Sequence, residues 1–298
     1  MATPISGDGP ASVRFSVIVP VYRDWHRVPG LLECLKRQTF PASLFEVILV
    51  DNGSPDFAPP SELPENTHIL RCEKPGSYAA RNEGVGHSRG EWLAFTDADC
   101  LPAPEWLRAL DEEARRHGQA TLIAGAVEVV SLSRAPSAPE IHDVVRGIPQ
   151  DYYVRRGYAA TANLAVPRAV FDAVGGFDAG RFSGGDADFC RRAGAEGVAV
   201  VYAPRARVDH PARATWRAVA AKARRIKGGQ IARGSPLRRA AWGARTFFPP
   251  VLDVWRLLRA TRHPPRRRLV AVAVQVALWG VEMDETIRLL AGGQAKRQ

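Results

Sequence analysis

The sequence predicts an α/β protein built on a mostly parallel, doubly wound sheet with helices on both faces. Three observations carry that prediction. Short apolar runs recur at residues 15–19, 45–50 and 92–95, the first two rich in β-branched residues, and 68–72 reads as a further strand between them, the texture of buried strands. Segments with helical spacing, such as Leu31, Leu32 and Leu35, lie between them, and alternation of the two periods implies parallel pairing through helical crossovers. The loops that follow these runs carry polar side chains, namely Tyr22 and Asp24, Asp51 and Asn52, then Asp97 and Asp99. In such a sheet they gather on one edge, where ligands bind. A chain of 298 residues with 46% apolar content can bury a full core.

In chain order, residues 1–14 are rich in Gly, Pro and Ser without the apolar stretch of a signal peptide, so a frayed arm and a cytoplasmic protein are expected. The strand at 15–19 stops at Pro20, and a helix runs to about Arg37. The strand at 45–50 ends in the turn Asp51-Asn52-Gly53-Ser54. Pro75-Gly76 leads from 68–72 into a helix over 77–88, and Leu101-Pro102 is expected to break the chain after the strand at 92–95. An amphipathic helix over 104–117 and a strand over 121–130 follow. Residues 131–158 interrupt the alternation as an insertion or lip. It holds Tyr152, Tyr153, Tyr158, Arg155 and Arg156, which suit either an acceptor-facing surface or a buried aromatic cluster. A strand at 159–166, a helix at 168–174, a helix opening from Gly184-Gly185, and a last strand at 198–202 complete this part, before Val208-Asp209-His210-Pro211.

The chemistry concentrates at Thr96-Asp97-Ala98-Asp99. Carboxylates at the end of a buried strand are costly unless they hold something, and a hard divalent cation with the phosphates it neutralises fits them. Spacing alone does not assign the role, because Asp186-Ala187-Asp188 repeats it. There the pair opens a helix, so one Asp is expected to cap and the other, beside the glycine pair, to meet substrate. His210 near the sheet edge is either a structural hydrogen-bonder or a ligand. A phosphate loop of the G-x-x-x-x-G-K-[ST] type and a G-x-S-x-G elbow are both absent. The four cysteines form no C-x-x-C, which fits a reducing compartment.

Charge is uneven. Residues 205–298 hold 21 Lys+Arg against 5 Asp+Glu, a net +16, leaving −6 for residues 1–204. Two basic knots, one at Lys222, Arg224, Arg225 and Lys227 and one at Arg262 and 266–268, flank Phe247, Phe248, Val251, Leu252 and Trp255. That interleaving suits a helix lying on an anionic membrane; a solvated face and a subunit-packing arm stay open, and nucleic acid is not expected. The longest apolar run, 269–281, is too short to span a bilayer.

Five segments in order, Val17-Ile18-Val19-Pro20-Val21-Tyr22, Val50-Asp51-Asn52-Gly53-Ser54, Ala80-Arg81-Asn82-Glu83-Gly84, Thr96-Asp97-Ala98-Asp99 and Gly185-Asp186-Ala187-Asp188, resemble family 2 glycosyltransferases over about residues 14–212. The resemblance implies a GT-A, Rossmann-like fold and an inverting enzyme that uses a nucleotide-sugar donor with Mg2+ or Mn2+. It places the domain at 15–212, with 213–298 as a basic helical extension. It implies a donor site of Pro20, Tyr22, Asp24, Asp51, Asn52, Arg81, Asp97 and Ala98. Asp99 and His210 would hold the metal and Asp186 would be the catalytic base, with Gly185 and Asp188 on the acceptor side or orienting the base. Many members have Glu where this chain has Gly185, and the Q-x-x-R-W signature of processive synthases is missing. Single transfers to a saccharide, lipid-linked or small-molecule acceptor are therefore expected, in cell-envelope glycan synthesis or, as the alternative, by a soluble tailoring enzyme. Oligomeric state stays open. A sugar-nucleotide pyrophosphorylase would want a glycine-rich basic loop after the first strand, where Val21-Tyr22-Arg23-Asp24 stands instead.

Overall fold

The computed structural model describes residues 13–231 and 235–295. Of the arm expected over 1–14, residues 1–12 lie outside the described residues. One eight-stranded sheet organises the chain, formed by β1 (Phe15–Val21), β2 (Phe45–Asp51), β3 (Thr67–Arg71), β4 (Trp92–Thr96), β5 (Leu101–Pro102), β6 (Thr121–Val130), β7 (Asn163–Pro167) and β8 (Ala199–Pro211), in the order β3-β2-β1-β4-β7-β6-β8-β5. The first four strands are parallel to one another, as is β6 to β8. By contrast β7 runs antiparallel to both β4 and β6, and β5 antiparallel to β8.

The parallel half follows from its sequence. Along β1, successive side chains point to opposite faces. Val17, Val19 and Val21 join the core under α1 (Val28–Lys36) and α3 (Trp106–His117), while Ile18 joins the core under α2 (Ser77–Gly86), α6 (Arg168–Val174) and α7 (Gly185–Ala195). Both faces are thus covered, which is why these strands read as continuous apolar runs. Helix α2 lies so close that a Cβ on Gly84 would stand 2.7 Å from Ile18 Cγ2.

Two local expectations are corrected. Leu101-Pro102 does not break the sheet but pairs with Asp209 and Val208, a two-residue edge position that tolerates Pro. The last strand continues past Tyr202 to Pro211, so His210 sits inside it rather than in a following loop. Residues 131–158 stand between β6 and β7 and hold two helices, α4 (Ala138–Arg146), opened by a Ser137/Glu140 capping box, and α5 (Gln150–Val154).

The C-terminal region is helical: α8 (Trp216–Ile231), α9 (Pro236–Thr246), α10 (Val251–Leu258) and α11 (Pro265–Leu290). Among the described residues no helix is long and apolar enough to cross a membrane. The first basic knot turns inward. Lys222 Nζ and Arg213 Nη1 reach the buried Asp143 of α4 at 2.9 and 3.1 Å, and Lys227 Nζ bonds Thr246 Oγ1 at 3.2 Å. Burial alone would raise the Asp143 carboxyl, but Lys222 and Arg213 outweigh it and hold it well below the usual carboxylate range.

Candidate active site

Four loops meet at the carboxyl end of the parallel strands. After β1 the backbone turns at Arg23, a non-glycine residue at φ 60°, and its N–H donates to Ser54 Oγ at 3.0 Å. Trp25, in the short turn that follows, donates from Nε1 to Asp51 Oδ1 at 2.8 Å, and the N–H groups of Gly53 and Ser54 reach Oδ2, each at 3.2 Å. Asp51 thereby ties the first two loops together at the strand end. Asn52 donates to the carbonyls of Cys72 and Lys74 and accepts from Gly76 N–H, fixing the approach to α2.

The carboxylates of Asp97 and Asp99 stand at the centre. Asp97 accepts from Arg81 Nη2 at 2.6 Å, and Arg81 itself is 3% exposed. Asp99 has His210 Nε2 3.7 Å from Oδ1 and Arg27 Nη1 3.9 Å from Oδ2. Arg27 Nε also lies 3.4 Å from Asp24 Oδ1, which brings Asp24 to the same cluster, and burial and then Asp99 raise the Asp24 carboxyl. Pro20 lies near the end of β1 and Tyr22 directly after it, and Ala98, between the two aspartates in sequence, is buried.

One ligand atom each from Asp97, Asp99, Cys100 and His210 lies within 4.8 Å of the others. His210 Nδ1 is 3.0 Å from the Pro211 carbonyl; a carbonyl can only accept, so Nδ1 carries a hydrogen and Nε2 is the nitrogen that faces Asp99. Two carboxylates and an imidazole whose second nitrogen is already fixed make a donor set that fits Mg2+ or Mn2+. Cys100 fits less well, because burial keeps its thiol protonated.

The second D-x-D approaches from α7. Asp186 Oδ1 accepts from Tyr78 hydroxyl at 3.2 Å and from Ala187 N–H at 2.9 Å. Burial, then the facing Asp186, push the Tyr78 hydroxyl well above its usual range, so it remains a donor. The Arg81 guanidinium lies 5.6 Å from the Tyr78 ring centroid. One face of α2, through Tyr78 and Arg81 at i and i+3, therefore connects Asp186 to Asp97. Asp188 points away from the cluster, to Arg181 at 2.9 Å and Arg192 at 3.1 Å, and Arg192 in turn holds the carbonyls of Val174 and Gly176. It anchors the loop that delivers Asp186.

The departure at Gly185 has a steric cause. A Cβ there would come within 2.6 Å of Tyr78 Cε2, a contact that real structures do not make. Gly185→Ala should cost about 1–3 kcal/mol through overpacking, seen as a lower melting temperature. A double-mutant cycle with Tyr78→Ala should show coupling; additive effects would contradict the contact.

Arg225 was grouped with the basic tail on sequence grounds, and the structure places it at the site. Its Nη1 donates to the Phe182 carbonyl at 3.2 Å, and burial lowers its pKa against the opposing pull of Tyr78, Asp97 and Asp186. Helix α8 approaches closely enough that a Cβ on Gly229 would meet Ser183 Cβ at 2.9 Å. Gly228-Gly229 was the available signal, since a glycine pair within a helical stretch marks close packing. Tyr78, Trp25 and Arg27 gave no such signal.

The sequence profile described as glycosyl transferase family 2 matches residues 16–184, more than half of the chain. The chain belongs to glycosyl transferase family 2. Within this family, glycosyltransferase AglE of Haloferax volcanii is 35% identical over 204 residues, 66% of this chain and 67% of that protein. Among solved structures, the mannosyltransferase PcManGT of Pyrobaculum calidifontis, in complex with GDP-Man and Mn2+, superposes with a TM-score of 0.60 at 18% identity, covering 94% of this chain and 88% of that one. TarS 1-349 of S. aureus in complex with UDP-GlcNAc gives 0.51 at 14% identity, over 95% and 93% of the two chains. These likenesses establish the fold as GT-A.

Proposed function

We propose that the protein is an inverting, non-processive glycosyltransferase that moves one sugar from a nucleoside-diphosphate sugar to an acceptor hydroxyl, with Mg2+ or Mn2+, in cell-envelope or lipid-linked glycan synthesis. The carrying observation is the pair of carboxylate centres joined through α2: Asp97 and Asp99 with His210 on one side, Asp186 on the other. GT-A neighbours in complex with GDP-Man and Mn2+ or with UDP-GlcNAc support a nucleotide-sugar donor, and the metal-fitting donor set at Asp97, Asp99 and His210 favours the first centre as its end. The catalytic unit is residues 15–212, extended by the helices of 213–298.

In this reading Asp99 and His210 hold the cation, and Asp97 meets the nucleotide sugar while Arg81 fixes its carboxylate. The bound cation supplies Lewis-acid neutralisation of the diphosphate. The tied loops around Asp51, with Pro20, Tyr22 and Asp24, form the wall for base and ribose. Asp186 takes the acceptor hydroxyl's proton as its oxygen bonds the anomeric carbon; the bond to the phosphate oxygen breaks and its electron pair leaves with the diphosphate. Attack from the face opposite the leaving group inverts the centre. The Tyr78 hydrogen bond orients Asp186 for that transfer.

Arg225 adds positive charge between the two ends as leaving-group charge grows. A hydrogen bond to a charged group contributes about 1.5–3 kcal/mol, so Arg225→Gln should lower kcat about tenfold to a hundredfold, and loss of the bond to the Phe182 carbonyl should show separately as a lower melting temperature. An unaltered kcat would remove Arg225 from the mechanism.

The reading is tested by a thermal-shift panel of UDP, GDP and dTDP with and without Mn2+, followed by transfer assays with the matching sugars. Metal-dependent stabilisation by one nucleotide is expected; no stabilisation and no donor turnover with any of them would refute it.

A further inference from the structure

We propose that α10 and the turn before it are a docking surface for an anionic phospholipid membrane. On α10 the exposed apolar residues are Val251, Leu252, Trp255 and Leu258, at 66, 57, 51 and 43% exposure. Their spacing of i, i+1, i+4 and i+7 puts them on one side of the helix. The opposite side is anchored, since Leu257 packs with Val145 of α4 and Ala271 of α11. Phe247 and Phe248, in the turn before α10, are exposed at 47 and 71%. So much exposed apolar surface on one short stretch marks an interaction site.

The surrounding charge says which occupant. Residues 245–268 contain seven Arg and one acidic residue, Asp253. Arg245, Arg256, Arg259, Arg262, Arg266 and Arg267 are exposed, and the Arg259 guanidinium lies 4.3 Å from the Trp255 ring centroid, over the apolar stripe. Apolar and aromatic side chains ringed by arginines match an anionic lipid interface, where the stripe enters the acyl boundary and the guanidinium groups meet phosphates. A second copy would bring two arginine-rich faces together, and a nucleic acid would leave Val251, Leu252 and Leu258 uncovered.

The surface adjoins the acceptor end of the site. Arg256 of α10 donates to Tyr152 hydroxyl at 2.6 Å. Tyr152 lies against Tyr153, which stacks on Tyr158 at 4.9 Å between ring centroids, and Tyr158 packs against the same apolar cluster as Tyr78, the donor to Asp186. Docking through α10 would thus bring a lipid-borne acceptor to the side where Asp186 stands. Only this last step rests on the proposed function; membrane binding itself does not.

The test is flotation of the full chain with phosphatidylcholine vesicles, with and without 30% phosphatidylglycerol, in the absence of any sugar donor. The chain should float only with the anionic vesicles and be released by high salt. Leu252→Glu/Trp255→Glu should reduce the floated fraction at least tenfold while nucleotide-dependent thermal stabilisation is unchanged. The proposal is overturned if the wild type stays at the bottom with both vesicles, if the double variant floats as well as the wild type, or if gel filtration shows a dimer that the double variant dissociates, which would make a second copy the occupant. Failure of flotation with intact donor binding would sink the docking surface alone. Absence of donor binding with intact flotation would sink the enzymatic reading alone.

Discussion

Asp186→Asn is expected to lower sugar transfer by about 10²–10⁴-fold, the range a positioned general base contributes. The amide is nearly isosteric, and its Oδ1 can still accept from Tyr78 hydroxyl and Ala187 N–H, the two bonds that hold the carboxylate now. Only proton acceptance is removed. The loss should therefore fall on kcat, with metal-dependent nucleotide binding and melting temperature close to wild type. Tyr78→Phe should give a smaller loss, because it frees the base without removing it. If Asp186→Asn transferred sugar at the wild-type rate, the base would have to lie elsewhere.

Asp99→Asn is expected to abolish the metal dependence of nucleotide binding. Losing an outer-shell partner typically costs 10–100-fold, roughly, in metal affinity, and Asp99 is read as a direct ligand beside His210. A nucleoside diphosphate at about a hundred times its Kd stabilises the folded state by about 2.7 kcal/mol. That stabilisation should appear with Mn2+ in the wild type and be lost in the variant. Asp188→Asn should behave differently: its carboxylate holds Arg181 and Arg192, so it should lower stability while Mn2+-dependent binding persists. Equal metal-dependent stabilisation in wild type and Asp99→Asn would move the cation site away from the first D-x-D.

The strand-end placement of Asp51, Asp97 and Asp99 was legible because buried parallel strands announce themselves as continuous apolar runs and stop where polar residues begin. The helix start before Asp186 was legible for a similar reason, since a glycine pair followed by acidic residues marks a helix N-terminus. The antiparallel position of β7 was not, because strand direction depends on how residues 131–158 fold back, and their Pro/Ser-rich opening hides a capping box that nucleates α4. His210 was found as a residue but misplaced in structure. Its strand β8 has exposed positions at Arg205 and Arg207 that interrupt the apolar pattern, and residues 204–206 form an irregularity before pairing with β6 resumes at Arg207.

The division of labour in the C-terminal region was also hidden. Charge counts treat all arginines and lysines alike, yet Lys222, Arg225 and Lys227 face inward to Asp143, the Phe182 carbonyl and Thr246, whereas the arginines around α10 face out. Helical phase separates them, and phase acquires meaning only once the packing partner of each helix is known. The link from Asp186 through Tyr78 and Arg81 to Asp97 joins residues up to 108 positions apart. Within α2 alone it reads only as a tyrosine three residues before an arginine.

Asp186 is proposed to direct attack on a donor held at Asp97 and Asp99 from the face opposite the leaving diphosphate. Proton NMR of the sugar first released from an α-linked nucleotide sugar tests this without knowledge of the natural acceptor, because water then takes the acceptor's place. The β-anomer is expected to accumulate first and to mutarotate afterwards, and Asp186→Asn is expected to suppress its appearance. Initial release of the α-anomer, at a rate that Asp186→Asn leaves unchanged, would contradict it.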